Sequence, residues 1–490
     1  MELRKKIKKN YLIILLIFIA FIFYVINLKG SLGFFDDTAR DTLKTLGIIK
    51  EKKITLIGPP LSFGLFSIRE VYFGSLSLYI AAIGLLMGKL DVTGAIYPTI
   101  FFFNISIYFF YQLIKYLTTS KKTQIISTII YALSPATVTF ARFFWNPNLI
   151  IPFSVFFWLL ILRSYSSEKR KVFGFVFAGV IGGIMVNFHY VSLLLIILCF
   201  LIFLFKRKIL LSIALITGLL ISSLPLILFE LKHQFYLTQA LIYNLTQKGT
   251  AEYSGDKIMH FFSGMLVILG LKPSEISHPT VNLNITFTYL TIVILLYLMI
   301  KSFSTIKKDR KILLIPLLLM NLVAVIMSKQ IYNIHYLFPV YPLLVWYIGH
   351  LISQIKISAA VFIIIPIMLY SSFLIPYDAH NIKKDYLSIT KIEEISSYIV
   401  RDNPTPPYNL TENITGGAQA IPFRYVLTRD AKVQPNDKLS YAGLKTLYVV
   451  TADINRTYKE NRWEFYATSN KVLIKTVDFG EVKLFKFEAR

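Results

Sequence analysis

Long apolar runs alternate with short polar segments from the start of the chain to about residue 376. A membrane-spanning helix needs about 20 mostly apolar residues, and run after run approaches that length. This pattern predicts an α-helical polytopic membrane protein with about 11 transmembrane helices plus juxtamembrane helices. The predicted spans are residues 11–29, 93–117, 123–140, 148–163, 172–188, 190–205, 209–229, 283–302, 312–328, 336–351 and 357–375.

The polar segments between the runs carry clusters of lysine and arginine, which are typical of cytoplasmic loops. They predict a cytoplasmic N-terminus and a C-terminus outside a plasma (inner) membrane, with large outer loops at 30–92 and 230–282. The second loop contains an apolar patch, IMHFFSGMLVILGL, which suggests another partly inserted helix. The basic clusters are Arg4–Lys9, Lys115–Lys122, Arg163–Lys171, Lys206–Lys208, Lys301–Lys311 and Lys356.

The apolar segment 72–88, YFGSLSLYIAAIGLLMG, does not fit this series. Counting it as a full span would put Lys121 and Lys122 outside and invert the topology downstream. We therefore predict a juxtamembrane or re-entrant helix on the outer face, which is tolerated where protein covers it. A twelfth span is the alternative.

The pattern changes after Ile375, where long apolar runs end. DYLSITKIEEISSYIV has helical spacing, and KTLYVVTAD, KVLIKTVDF and VKLFKFEA are typical of strands. NPTPPYN is typical of a loop. We predict two domains, a transmembrane domain at 1–376 and a small α/β domain outside the membrane at 377–490.

The amino-acid composition also indicates a membrane protein. The 490 residues are 55% hydrophobic with a mean hydropathy of +0.60, which excludes an ordinary soluble protein. The net charge of +25 comes largely from basic segments between the runs, so it indicates topology and no nucleic-acid partner is expected. The single cysteine, Cys199, cannot form an internal disulfide.

Acidic residues are scarce, with 13 before residue 377, yet three stand together in SLGFFDDTARDTL. If a helix begins here, Asp37 and Asp41 share one face, and Asp36 faces Arg40. One interpretation is a capped helix with a surface ion pair, which contributes only about 0–1 kcal/mol. The other is a carboxylate at the membrane surface that takes a proton from an acceptor hydroxyl, while Arg40 keeps a carboxylate ionised or meets a phosphate.

Three further polar clusters lie at helix ends on the predicted outer face. Structural explanations exist for each, such as an interfacial tryptophan belt, an asparagine turn or a hydrogen-bonded histidine. Because these three clusters and the acidic motif all lie on the same predicted face, they predict a single site at the outer membrane–water boundary. ARFFWNPNL contributes Arg142, Trp145, Asn146 and Asn148, NFHYV contributes His189 and Tyr190, and IYNIHYLFPVYP contributes His335 and Tyr336.

In these motifs the sequence resembles the integral-membrane glycosyltransferases of the GT-C class, close to protein mannosyltransferases, aminoarabinose transferases and bacterial family 39 relatives. The similarity runs through about residues 10–375. It rests on DDTARD in the first outer loop, LIGPPLSFG and YFGSLSLYI after it, then SPATVTFARFFWNPNL and HYLFPVYP. Thr38 stands where such relatives commonly have Glu or Gln.

The resemblance implies transfer of a sugar, as a hexosyl or pentosyl group, from a polyprenyl-phosphate carrier to an acceptor on the outer face. It implies Asp37 as catalytic base, with Asp36 as runner-up, and it favours inversion. A double displacement through Asp37 and Asp41, which needs carboxylates about 5–5.5 Å apart, stays open. Cations balance a phosphate leaving group, so of the outer arginines Arg40, Arg69 and Arg142 we predict that Arg40 or Arg142 contacts it, with His335 a further candidate.

The expected partners are a polyprenyl-phosphate sugar donor, membrane lipid, and a glycan, lipid or protein acceptor of the cell envelope. No cofactor is certain from the sequence; a divalent metal is possible, and its ligands are unknown. The alternative function is a flippase or transporter of lipid-linked glycans, or a polymerase of envelope polysaccharide. A secondary transporter would more often show internal repeats and polar groups at mid-span.

Overall fold

A computed structural model of the protein describes residues 2–31, 34, 36–61, 70–166, 171–246, 257–271, 285–306, 308–327, 333–355, 365–375, 387–414, 419–455, 463–468 and 471–489. The chain is mostly helical and forms two compact units. The large unit comprises Met1–Ile26, Ile54–Ile80 and Ile96–Ile375, and the small unit comprises Asn27–Lys53, Ala81–Ala95 and Pro376–Arg490.

The α-helices are numbered along the chain. The first ten are α1 Glu2–Val25, α2 Leu28–Ser31, α3 Asp36–Glu51, α4 Leu76–Met87, α5 Tyr97–Leu117, α6 Lys121–Leu133, α7 Pro135–Ala141, α8 Ile150–Tyr165, α9 Lys171–Phe188 and α10 Val191–Phe205. The others are α11 Ile209–Ser222, α12 Leu224–Lys232, α13 Tyr236–Thr246, α14 Lys257–Ile268, α15 Ile285–Thr305, α16 Leu314–Met327, α17 Tyr341–Ser353, α18 Ile365–Leu374, α19 Ile389–Asp402, α20 Ile421–Asp430 and α21 Trp463–Tyr466.

Four 3₁₀ helices and six strands complete the described elements. The 3₁₀ helices are Val92–Ile96, Asn146–Leu149, Lys308–Leu313 and Ile334–Val340. The strands are β1 Ile57–Leu61, β2 Val71–Gly74, β3 Tyr408–Glu412, β4 Thr446–Thr451, β5 Lys471–Asp478 and β6 Lys483–Ala489.

Every predicted span overlaps an apolar helix, which confirms a helical, multi-pass membrane protein. Among the described residues, 5 helices are long and apolar enough to cross a membrane, or up to 7 if two bent pairs each count as one span. The bends are 45° between α6 and α7 and 66° between α11 and α12. Each second helix has a proline in its first turn, Pro135 or Pro225, which cannot continue the preceding helix. The number of 11 transmembrane helices stays a prediction.

Helices α9 and α11 of the large unit approach each other through glycine. A Cβ at Gly179 would lie 2.0 Å from the carbonyl oxygen of Leu215, and one at Gly218 would lie 2.0 Å from that of Val176. Small residues let helix backbones pack closely where lipid gives no hydrophobic driving force. Buried hydroxyls add cross-links, such as Tyr24 Oη donating to Ala132 O at 2.8 Å.

The segment predicted as one juxtamembrane helix at 72–88 divides into a strand and a helix. Strand β2 pairs antiparallel with β1, with Leu61 opposite Val71, and this hairpin was not predicted. Helix α4 follows with 12 residues, about 18 Å long. That length is well short of the roughly 30 Å hydrocarbon core, so α4 does not cross it alone.

A four-stranded sheet in the order β3-β4-β6-β5 forms the centre of the small unit. Strands β3 and β4 are parallel, whereas β6 runs antiparallel to both of its neighbours. The predicted helix and three predicted strands of this region are present as α19, β4, β5 and β6. Strand β3 was missed: it begins at Tyr408, inside NPTPPYN, because burial of its side chains outweighs the nearby prolines.

Charged side chains connect the separate stretches of the small unit. Lys29 pairs with Asp91 and with Glu393, and Glu393 also meets Arg429 at 3.4 Å. Helix α3 packs against α20, and the Lys50 ammonium donates to the carbonyl of Thr428. The acidic motif is therefore carried on a helix that the sheet-containing part of the unit holds in place.

Candidate functional site

The acidic motif forms the first turns of α3, which begins at Asp36 and runs for 16 residues. The predicted helix is thus present. The helix dipole favours negative charge in the first turn of a helix, and Asp37 lies in the first turn of α3. The side chain of Asp36 lies outside the described part of the structure.

Asp37, Arg40 and Asp41 form what we call the acid–arginine triad. Arg40 donates from Nη1 to Asp37 Oδ1 at 2.7 Å and from Nε to Asp41 Oδ1 at 2.8 Å, and Nη2 also lies 2.8 Å from Asp41 Oδ1. These contacts use three of the five guanidinium N–H donors. Arg40 thus pairs with Asp37 and Asp41, while the pairing with Asp36 expected from the sequence falls on a side chain outside the described residues.

The two carboxylates of the triad differ in access to solvent. The side chain of Asp37 is 44% exposed, whereas that of Asp41 is 1% exposed. Burial raises the pKa of Asp41 to about 7, although Arg40 beside it acts in the opposite direction. Arg40 experiences the reverse balance: burial alone would lower its pKa, but the two aspartates raise it. Asp37 is thus the carboxylate that an external group can reach.

The buried side of the triad contains two polar atoms with no hydrogen-bond partner among the described residues. They are Asp41 Oδ2 and the hydroxyl of Thr38. An unsatisfied buried carboxylate oxygen is costly when ionised. This arrangement agrees with a proton held on Asp41 near neutral pH.

In the large unit, Arg142 ends α7 and is 1% exposed. Its Nη1 donates to the carbonyl oxygen of Phe23 in α1 at 2.7 Å. The contact ties two helices together, which is a structural role. The predicted contact of Arg142 with a lipid phosphate stays a prediction.

The two asparagines that follow also bind backbone. Asn146 Nδ2 donates to Phe188 O at 2.5 Å, and Asn148 Nδ2 donates to Phe140 O and Phe143 O at 3.0 and 3.1 Å. These carbonyls lie at helix ends, where the last turn leaves acceptors unsatisfied. Asn146 and Asn148 thus hold the end of α7 and the end of α9 in position.

Beside this junction lies what we call the aromatic–imidazole cluster: Phe73, Trp145, His189, Tyr190, His335 and Tyr336. The His335 ring centroid lies 5.3 Å from Trp145, 5.2 Å from His189 and 4.2 Å from Tyr336. The structure therefore brings together members of all three polar clusters that lie in the large unit. Trp145, Tyr190, His335 and Tyr336 are half-buried.

Sequence reasoning missed Phe73 of β2. Its ring lies 4.8 Å from His189 and 5.3 Å from Tyr190, while Tyr190 Oη donates to the carbonyl of Tyr72 at 2.5 Å. The adjacent glycine packs so closely that a Cβ on Gly74 would lie 1.8 Å from Asn187 Oδ1. The sequence signal for this contact was the glycine in YFG.

The cluster offers flat aromatic faces and two imidazoles, with no carboxylate among its members. His189 Nδ1 accepts from the Val191 N–H at 3.2 Å, so a neutral His189 carries its proton on Nε2. Such surfaces suit binding of a ring-shaped, hydroxyl-bearing ligand or an anion. No group of three or more His, Cys, Asp or Glu positioned to hold a metal occurs in the part of the chain that the structure describes. Arg69 lies outside that part.

Known proteins share both sequence and fold features with this chain. Residues 75–229 match the family model described as dolichyl-phosphate-mannose-protein mannosyltransferase. The fold is similar to that of ArnT from Cupriavidus metallidurans in the apo state, with a TM-score of 0.65 over 98% of each chain at 10% identity. In sequence and in fold the chain resembles membrane glycosyltransferases of the GT-C class. The resemblance seen in the sequence is thereby confirmed.

Two further solved structures resemble this chain. ArnT from the same organism bound to undecaprenyl phosphate gives a TM-score of 0.63 at 10% identity, covering 97% of this chain and 98% of that one. The oligosaccharyltransferase AglB from Archaeoglobus fulgidus, in complex with an inhibitory peptide and a dolichol-phosphate, gives 0.50 at 14% identity, covering 94% and 71%. A search of curated proteins finds no match.

Proposed function

We propose that this chain is a glycosyltransferase that moves a sugar from a polyprenyl-phosphate donor to an acceptor on the outer face of the plasma (inner) membrane, with inversion. The observation that carries the proposal is the acid–arginine triad, which exposes one carboxylate at the start of a helix. The GT-C fold, shared with an ArnT structure that contains undecaprenyl phosphate, supports the donor class. The sugar is not assigned.

In this mechanism Asp37 accepts the proton of the acceptor hydroxyl while the acceptor oxygen attacks the anomeric carbon and the lipid phosphate leaves. Arg40 fixes the orientation of Asp37 through its Nη1 contact. Burial of Asp41 argues against a second nucleophile, because a double displacement needs that carboxylate to reach the sugar. One displacement gives one inversion.

For the donor phosphate, Arg40 is favoured over Arg142. The described contacts of Arg40 leave two N–H donors for an anion, and its side chain is 29% exposed. Arg142 is occupied with a helix carbonyl and buried. His335 and Trp145 are proposed to bind the donor sugar or phosphate through the aromatic–imidazole cluster.

The proposal includes the predicted topology: a transmembrane domain at 1–376 with a cytoplasmic N-terminus, and a domain at 377–490 outside the membrane. A reporter fused after Arg490 that works only outside the cytoplasm should be active. Activity of a cytoplasm-only reporter at that position would contradict the orientation.

The deciding experiment follows a labelled polyprenyl-phosphate sugar with purified protein. We expect release of the lipid phosphate together with a glycosylated acceptor of inverted anomeric configuration. The same labelled lipid in sealed vesicles tests the alternative of a flippase. Movement of intact lipid across the bilayer without sugar transfer would overturn the proposal, as would a product of retained configuration.

A further inference from the structure

A cavity of about 370 Å³ lies in the large unit between α8, α10 and the start of α16. Helix α8 begins next to Asn148 and ends at Tyr165, which lines the cavity. With 16 residues, α8 is about 24 Å long. The cavity is therefore at the far end of α8 from the aromatic–imidazole cluster, and nothing in the proposed reaction uses it.

The wall of the cavity is hydrocarbon and aromatic, with Trp158, Ile161, Leu162, Phe203 and Pro316 among its members. Trp158 is held in place by its Nε1–H, which donates to Pro339 O at 3.0 Å. The volume falls within the roughly 300–1,000 Å³ of ordinary ligand pockets. Such a wall suits an acyl chain.

The rest of the lining includes a polar and basic part at helix ends. It carries Lys206 and Arg310, together with Tyr165 and Ser166, and none of the described residues that line the cavity is acidic. Hydrogen bonds to helix carbonyls hold two of these residues in place: the Lys206 N–H donates to Ile202 O at 3.1 Å, and Ser166 Oγ donates to Leu162 O at 2.9 Å.

Lysine and arginine side chains at helix ends often extend along the apolar surface and place their charged groups in water, without binding a ligand. Here two of them, from different helices, border one apolar cavity, which is the arrangement that binds anionic lipid headgroups between membrane helices. A second, larger apolar cavity, of about 640 Å³, has one cation among its described lining residues, Lys311. Its ammonium lies over the ring of Phe303, 4.2 Å from the centroid.

We propose that this cavity binds an anionic phospholipid, with one acyl chain against Trp158 and Phe203 and the phosphate between Lys206 and Arg310. The lipid fills a space between three helices of the large unit and stabilises their packing. The site is separate from the sugar chemistry and does not depend on the proposed reaction.

The experiment uses phosphatidylglycerol with a photoreactive diazirine in one acyl chain, added to the purified full chain in detergent. After irradiation, mass spectrometry locates the adducts. We expect adducts in residues 158–166 and 199–206, competed by unlabelled phosphatidylglycerol and poorly by phosphatidylcholine. Each of Lys206→Gln and Arg310→Gln should weaken this competition about fivefold.

Matched controls remove a charge from the same end of the helices without touching the cavity. Lys208 is exposed two residues from Lys206, and Lys301 is exposed in α15; neither lines the cavity. Lys208→Gln and Lys301→Gln should leave competition unchanged. Equal losses in controls, equal competition by phosphatidylcholine, or adducts spread evenly over the lipid-facing helices would each overturn the proposal. The Lys206→Gln variant alone decides the matter if Arg310→Gln fails to fold.

Discussion

The acid–arginine triad and the aromatic–imidazole cluster were both expected from the sequence, yet they are built differently. The triad lies within Asp37–Asp41 of one helix, and its contacts join residues one and three apart. The cluster joins His189 to His335 and Phe73, which are far apart in the chain. One arrangement follows from helix geometry, and the other requires the whole large unit to pack.

The triad and the cluster also differ in the chemical groups that they contain. The triad contains a guanidinium and two carboxyl groups, whereas the members of the cluster are aromatic rings and imidazoles. Proton transfer needs a titratable group that a substrate can reach, while binding needs surface. We therefore propose a division in which the triad serves catalysis and the cluster serves recognition.

The largest effect is expected for Asp37→Asn. Asparagine keeps the shape and accepts the Arg40 hydrogen bond, but it cannot take a proton as a carboxylate does. Turnover should fall by about 10²–10⁴-fold, the usual contribution of general-base catalysis, while the dissociation constant of the donor lipid stays nearly unchanged. The measurement is steady-state turnover and donor binding in one detergent.

Glu51→Gln is the matched control, because it removes an exposed carboxylate at the other end of the same helix. Its turnover should remain that of the wild type. If Asp37→Asn also keeps near-normal turnover, the triad is not the catalytic base and the division fails at its most important point.

The second prediction concerns Asp41, whose pKa burial raises from 3.8 to about 7. Between those values the folded state keeps a proton that the unfolded chain has lost. Folding stability therefore falls as pH rises from about 4 to 7. Asp41→Asn cannot titrate, so this slope should disappear, and the stability of the variant relative to wild type should rise over the same range.

The measurement is the unfolding midpoint of wild type and Asp41→Asn at several pH values in the same detergent. Other titrating groups largely cancel in the difference. A difference that stays constant with pH, or that moves in favour of wild type as pH rises, would show that Asp41 is ionised in its contact with Arg40.

Sequence reasoning succeeded where spacing alone determines the result. Apolar runs located the helices, and the four-residue spacing of Asp37 and Asp41 placed them on one face of α3. It failed where a partner distant in sequence decides. The β1–β2 hairpin pairs strands that residues 62–69 separate, and the hydrogen bond of Arg142 reaches the carbonyl of Phe23, 119 residues away. Neither of these long-range partners appears as a periodic pattern in the sequence.

A smaller effect, on stability, is expected for Arg142→Ala. The guanidinium is buried and donates to the Phe23 carbonyl, so its loss leaves that acceptor unpaired and should cost about 1.5–3 kcal/mol. Arg142→Lys should recover part of the loss, because lysine keeps a charged donor. The unfolding midpoint and donor affinity are measured together. Normal stability with weakened donor binding would restore Arg142 as a phosphate ligand.

The smallest effect is expected for Trp145→Leu, which tests whether the cluster binds donor or only packs. Trp145 meets His335 edge-on at 5.3 Å, and Trp463 meets Tyr441 edge-on at the same distance in the small unit. Such ring contacts are worth about 0.5–1.5 kcal/mol, so either Trp→Leu change should cost similar stability. Trp145→Leu should in addition weaken donor affinity about two- to tenfold.

Turnover at saturating donor should survive in Trp145→Leu, because a contact that binds donor and transition state equally raises KM without changing kcat. Trp463→Leu should leave both constants unchanged, since it removes an equivalent ring contact outside the proposed recognition surface. Equal donor affinity in Trp145→Leu and Trp463→Leu would show that the cluster only packs. The triad would then be the remaining candidate for contact with substrate. A fall in kcat in Trp145→Leu would instead assign the cluster to the chemical step, and the division drawn from their construction would be wrong.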